Sequence, residues 1–292
     1  MTYDSFRLAS EPADQVPFVH RWRGKGEPRA ILVIAHGMGE HALRYARFAE
    51  EMNGEGFVVY ANDHRGHGAT VRSADQLGDY GDAGWPGLVA DQRAVIEKAK
   101  ADHPGLPVLL MGHSMGSMVA QHLLTEASGS IDAAALSGTT AVDLMAAAMA
   151  DPSVNVFDSM NAAFEPTRTD FDWLSRDESE VDRYIADPLC GFTVTEASTA
   201  GLAEAGIAFS APEAIARVRK DLPVYVFAGD KDPVGLNGEL VALVAQRYRD
   251  AGVQDVTLKF YEEARHELLN ETNRAEVTAD FARWARRALA LE

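Results

Sequence analysis

The chain has 292 residues, 47% of them hydrophobic and 24% charged, a balance that excludes disorder and membrane spanning and leaves room for one large folded domain. A formal charge of −17 and a pI near 4.9, with no clustered Lys and Arg, exclude a phosphate-binding surface, so no nucleic-acid partner is expected. Met1 to Ser10 lacks the basic and apolar regions of a secretory signal, and Cys190 is the single cysteine; a cytoplasmic setting is the expectation.

Two weak β runs open the chain, Tyr3 to Leu8 and Val16 to Trp22, and they read as an antiparallel pair at the edge of a sheet. Short apolar runs then alternate with helical patterns. Strands are expected at Ala30 to His36, Phe57 to Asp63, Pro107 to His113, Ile131 to Ser137, Pro223 to Gly229 and Val256 to Glu262. Helices are expected at His41 to Asn53, Pro86 to Asp102, Met115 to Ala127, Asn237 to Ala251 and Glu271 to Leu289. This is the order of an α/β fold: a mostly parallel, eight-stranded sheet with helices on both faces.

Between the runs ending at Ser137 and beginning at Pro223 the rhythm fails, because about 85 residues are far more than one crossover requires. The division expected is a core of residues 1–138 and 222–292, with 139–221 inserted as a helical cap over the carboxyl ends of the strands, where open α/β sheets place their ligands. The insertion begins with an Ala- and Met-rich segment and ends in a helical pattern near Ala211 to Lys220. Its Met145, Met149, Phe157, Met160 and Phe164 are candidates either for a substrate pocket or for the cap's own core. The cap surface is also a candidate for transient contact with a membrane, which liposome co-sedimentation checks.

The segment GHSMG, Gly112 to Gly116, lies directly between an apolar strand and a helical pattern. A serine on so sharp a turn needs small neighbours two residues away on each side, and the helix that follows aims its amides at developing negative charge. Serine is a poor nucleophile at its own pKa, so it needs a base, and the base needs an orienting acid. After such an elbow the chain order is serine, acid, histidine. His266 is the last histidine, in the loop after the final strand; the acid falls at Asp232 or Asp230, after the preceding strand. Asp232 is preferred because Pro233 holds it extended; Asp230 then becomes a turn residue bonding local amides. The catalytic set expected is therefore Ser114, Asp232 and His266, with the backbone amides of Met38 and Met115 as an oxyanion hole. The histidines of NDHRGHG, Asn62 to Gly68, lack the spacing and companions of a zinc site and read as a turn that buttresses the pocket, so no metal is expected.

HGMGEH (His36 to His41), DHRGHG (Asp63 to Gly68), GHSMGS (Gly112 to Ser117), GDKD (Gly229 to Asp232) and YEEARH (Tyr261 to His266) together resemble the monoacylglycerol lipase and lysophospholipase-like branch of the α/β-hydrolases, also labelled serine aminopeptidase-like. Ser117 departs from the family pattern, which often has glycine there, and is expected to tighten helix-to-strand packing. The resemblance implies hydrolysis of small-molecule acyl esters such as monoacylglycerols or lysophospholipids, through an acyl-enzyme on Ser114 and without a cofactor. Two alternatives stand beside it: a peptidase or amidase with the same triad, and a non-catalytic ligand-binding protein of this fold.

Overall fold

Apolar runs with every position buried cannot face water on either side, and such runs make the centre of a parallel sheet. The computed structural model describes residues 2–8, 15–149 and 160–291. Its strands are β1 (Thr2–Arg7), β2 (Phe18–Arg23), β3 (Ala30–Ala35), β4 (Phe57–Asp63), β5 (Val108–His113), β6 (Ala133–Ser137), β7 (Val224–Gly229) and β8 (Val256–Tyr261). Every residue of β3 to β7 is buried. They form one eight-stranded sheet in the order β1-β2-β4-β3-β5-β6-β7-β8. β1 and β2 pair antiparallel at the edge and β2 is antiparallel to β4; the remaining pairings are parallel, as the sequence leads one to expect.

Strand side chains alternate between faces, so each central strand feeds two cores. Ile31 and Val33 join one apolar layer with Leu88, Val95 and Ile96 of α2 (Gly84–Asp102), Val119 and Leu123 of α3 (Met115–Ala127) and Val241 and Val244 of α8 (Glu239–Asp250). Leu32 and Ile34 join the other, with Phe48 and Met52 of α1 (Ala46–Gly54) and Val277, Phe281 and Trp284 of α9 (Arg274–Ala288). Each such side chain contributes about 1.5–3 kcal/mol on burial, which fixes the sheet as a rigid platform for its loops.

Between β6 and β7 lie α4 (Val142–Met149), α5 (Glu178–Ala186), α6 (Glu196–Phe209) and α7 (Pro212–Ile215), with short 3₁₀ turns among them. The 14-residue α6 is absent from the expectations, and the pattern at Ala211 to Lys220 yields only the four residues of α7. The sequence of α6, EASTAGLAEAGIAF, is mostly small residues and carries no strong apolar stripe; its helix is sustained by packing on α2, α3 and α4. Gly206 permits that approach, since a Cβ there would fall 2.2 Å from the Val142 side chain. The helix expected from His41 begins instead as a 3₁₀ turn, Ala42–Tyr45, before α1.

Candidate active site

Ser114 sits where β5 turns into α3, with φ 52° and ψ −122°. Such a backbone costs a non-glycine residue about 1–3 kcal/mol and persists only where its surroundings enforce it. The enforcement comes from close packing on both sides. A Cβ on Gly112 would lie 2.2 Å from the Gly116 carbonyl oxygen, and one on Gly116 would lie 2.0 Å from that of Ala35. The Ser114 amide is held by the Ser137 carbonyl at 2.9 Å, and the residue lines a mainly apolar cavity.

His266, in the loop after β8, is buried and lines the same cavity. Its Nδ1 lies 2.9 Å from both oxygens of Asp232, a fully buried carboxylate in the loop after β7. That contact puts the proton on Nδ1 and leaves Nε2 with a lone pair. Burial alone would lower the imidazole pKa, but the Asp232 carboxylate outweighs it and the net displacement is upward. The ring is flanked by Trp173 and His113, with centroids 5.1 and 4.7 Å away. Gly138, at φ +53°, leaves space for it, because a Cβ there would fall 3.0 Å from His266 Cε1. Asp232 itself accepts a local amide, that of Val234 at 3.0 Å, whereas Asp230 meets the Lys231 ammonium at 3.7 Å; the local amide bond expected of Asp230 thus falls to its neighbour.

Met38 and Met115 also line the cavity. Met115 opens α3, so its amide belongs to the first turn, which has no intrahelical acceptor. The loop carrying Met38 is fixed by long-range contacts that sequence reasoning missed. Gly37 N donates to Glu40 Oε1 at 2.5 Å, and Gly39 N donates to His67 Nε2 at 3.2 Å. Gly39 O accepts from the Tyr184 hydroxyl and the Gly191 amide at 2.8 and 2.9 Å. Glu40 also accepts from Tyr45 and Arg44, both at 2.8 Å, and Arg44 reaches on to Glu267 at 2.7 Å, tying this loop to the one that carries His266. Burial drives His64 to about 3 and His67 to about 4, and holds His36 well below the ordinary value. Being neutral, His67 and His36 can accept backbone amides, the latter from His64 N at 3.0 Å. Of the two histidines of NDHRGHG, His67 thus braces the Gly39 loop with its ring, whereas His64 engages His36 through its backbone amide.

The cavity encloses about 920 Å3 including its open mouth, and its walls are mainly apolar. Met145 and Met160 line it, joined by Phe171, Trp173 and Leu202. Phe164 is not among the lining residues; its ring lies 4.2 Å from the Arg265 guanidinium carbon. Met149 ends α4, and Phe157 lies outside the described residues. Among the described residues, His41, Asp187 and Cys190 bring three metal-ligating atoms within 4.8 Å of one another, with His41 Nε2 already bonded to Asp187 at 2.9 Å. No helix among them is long and apolar enough to cross a membrane.

A strained hydroxyl, a carboxylate-held imidazole and a helix-start amide around one apolar cavity are the parts acyl transfer uses. Residues 26–273 match the family described as serine aminopeptidase, S33. The chain is 33% identical to a monoacylglycerol lipase of Mycolicibacterium smegmatis, covering 90% of each. It is 31% identical to the monoglyceride lipase of Mus musculus, covering 88% of this chain and 82% of the relative. Among solved structures, a thermostable carboxyl esterase from Bacillus coagulans superposes with a TM-score of 0.88 at 26% identity over 99% of both chains. The monoglyceride lipase of Saccharomyces cerevisiae gives 0.79 at 19% identity, covering 99% of this chain and 95% of that one, a likeness of fold. The chain belongs to this S33 family of α/β-hydrolases and is a carboxylic ester hydrolase.

Proposed function

We propose that Ser114, His266 and Asp232 hydrolyse monoacylglycerols or closely similar acyl esters through an acyl-enzyme on Ser114. The observation that carries this is the pairing of His266 Nδ1 with both oxygens of Asp232 while the same imidazole and Ser114 border one cavity. His266 Nε2 takes the hydroxyl proton as Ser114 Oγ bonds to the ester carbonyl carbon. The negative charge that forms on the carbonyl oxygen is met by the amides of Met38 and Met115. Collapse of this intermediate breaks the ester bond, and the alcohol leaves with the proton from His266. Water, deprotonated by His266, then attacks the acyl-enzyme and releases the acid. Asp232 holds the tautomer and stabilises the imidazolium of each step.

We assign residues 139–221 as a cap on the core formed by 1–138 and 222–292. In support, Met145, Met160, Phe171 and Trp173, all from that insertion, border the cavity beside Ser114. An apolar wall favours an acyl chain over a charged peptide terminus. Monoacylglycerol is chosen because two of the relatives described above are lipases of that substrate by name. The test is a fluorophosphonate probe with a panel of monoacylglycerols, lysophospholipids and aminoacyl anilides. Labelling of the native protein, its loss in Ser114→Ala and turnover of monoacylglycerols are expected. Faster cleavage of anilides than of any ester would replace the reading with the peptidase one.

A further inference from the structure

A trans peptide carries its carbonyl and its N–H on opposite edges, so whatever grips one aims the other. The peptide joining Ser114 to Met115 carries the Ser114 carbonyl on one edge and, on the other, the amide assigned above to the oxyanion. That carbonyl accepts from the Ser117 amide at 2.8 Å and the Met118 amide at 3.3 Å, the usual company of a first helical turn. It also accepts from the Ser117 hydroxyl at 2.6 Å, the shortest of the three. Ser117 Oγ lies 2.8 Å from Thr139 Oγ1, and Gln121 Nε2 donates to that same Thr139 oxygen at 2.9 Å. Ser117 has a single proton and two acceptors in reach, the Ser114 carbonyl and, slightly further off, Thr139 Oγ1, which Gln121 holds in place. All three residues are buried, and Gln121 is itself anchored by a second bond to the Thr140 carbonyl at 3.2 Å.

We infer that Ser117, with its proton on the nearer of its two acceptors, is a positioning residue that orients and polarises the Ser114–Met115 peptide so that the Met115 amide becomes a stronger oxyanion donor. Hydrogen bonds in a chain strengthen one another, and drawing electron density into the carbonyl leaves its N–H more acidic. The effect is largest when a full negative charge sits before that N–H, which happens in the intermediate and not in the bound ester. It therefore raises kcat rather than tightening substrate binding. The residue is also a choice, since a glycine at 117 would supply the backbone amide but not the hydroxyl. This inference rests on the assignment of Ser114 as nucleophile and Met115 as donor.

The experiment compares wild type, Ser117→Ala, Ser117→Gly and Thr139→Val, each normalised to active sites by fluorophosphonate titration. Removing an oxyanion donor outright costs about 10²–10³ in kcat, so loss of a partner behind one donor is expected to cost about 3- to 10-fold. Ser117→Ala and Ser117→Gly take that loss with KM nearly unchanged. Thr139→Val, which keeps the Ser117 hydroxyl and removes the acceptor that competes for its proton, is expected to keep kcat at or above the wild-type value. Affinity for a trifluoromethyl ketone, whose adduct on serine carries the oxyanion, changes by the same factor as kcat in each variant. A role confined to packing would instead reduce the titratable fraction or Tm and leave per-site kcat and ketone affinity alone, and that result overturns the inference. If the native protein takes no fluorophosphonate at Ser114, the underlying assignment falls; if it does and per-site kcat is unchanged in the Ser117 variants, only the role of Ser117 falls.

Discussion

At the scale of single residues, the site is governed by what Asp232 does to His266. As the proposed base, His266 acts only when neutral, and the carboxylate raises its pKa despite burial, so activity is expected to be lost at a higher pH than an isolated imidazole would predict. The sign follows directly: below the raised pKa His266 is charged and cannot take the Ser114 proton; above it the rate reaches its plateau. The acid limb of kcat/KM should therefore have its midpoint above about 6.5, the ordinary imidazole value. In Asp232→Asn the charge that raises the pKa is gone and the ring is free to adopt the wrong tautomer. Its kcat should drop by about 10³- to 10⁴-fold, with the residual limb shifted to lower pH. A variant that keeps native kcat, or whose limb moves upward, would remove Asp232 from the triad.

Among the elements, the segment between β6 and β7 and the His266 loop hold each other in place. His266 N lies 3.4 Å from Trp173 O, and Glu267 N donates to Leu174 O at 2.8 Å. Beneath them the fully buried Glu271 accepts from the amides of Arg176, Arg265 and Thr272 at 3.1, 2.9 and 2.8 Å, and from Arg176 Nε at 2.9 Å. Glu271→Ala leaves three amides and a guanidinium short of an acceptor, and is expected to cost about 3 kcal/mol or more in urea unfolding. A loss below about 0.5 kcal/mol would show that this clamp is not what joins the two segments. The same elements explain which parts of the site could be read in advance. The elbow declares itself because its constraints are local: a strand, two glycines and a helix within a dozen residues. His266 and Asp232 follow from chain order and strand ends. Arg44, Glu40 and Glu267 do not, since Arg44 and Glu267 meet across 223 positions and nothing local announces the pair. Glu40 lies within HGMGEH, yet its task of holding the Gly37 amide is visible only when the loop is folded. For α6 the missing signal is the apolar stripe itself, replaced by small residues that let helices approach.

For the molecule as a whole, the fold was legible because the central strands are buried on both faces and read as uninterrupted apolar runs, with helices of regular spacing between them. The surplus of negative charge does not shape that architecture; it bears on which surfaces the enzyme approaches.

The buried imidazoles beneath the active site carry a consequence for acid tolerance. His64, His67 and His113 titrate near 3, 4 and 4 in the folded protein, and His36 lies well below its ordinary value, in each case chiefly because burial disfavours the cation. Unfolding releases all four to about 6.5, so between roughly pH 6.5 and 4 the open chain binds protons that the native one refuses. Stability is at its full value above that window and drains away as pH falls through it, while His266, with its shift in the opposite sense, contributes a constant amount there. The urea midpoint should decline steeply from pH 7 to 4.5; a level profile would mean these rings are wetter than their surroundings imply. Mild acid would then strike twice: first reversibly, by silencing the base, and then by prising open the floor on which the catalytic loops stand.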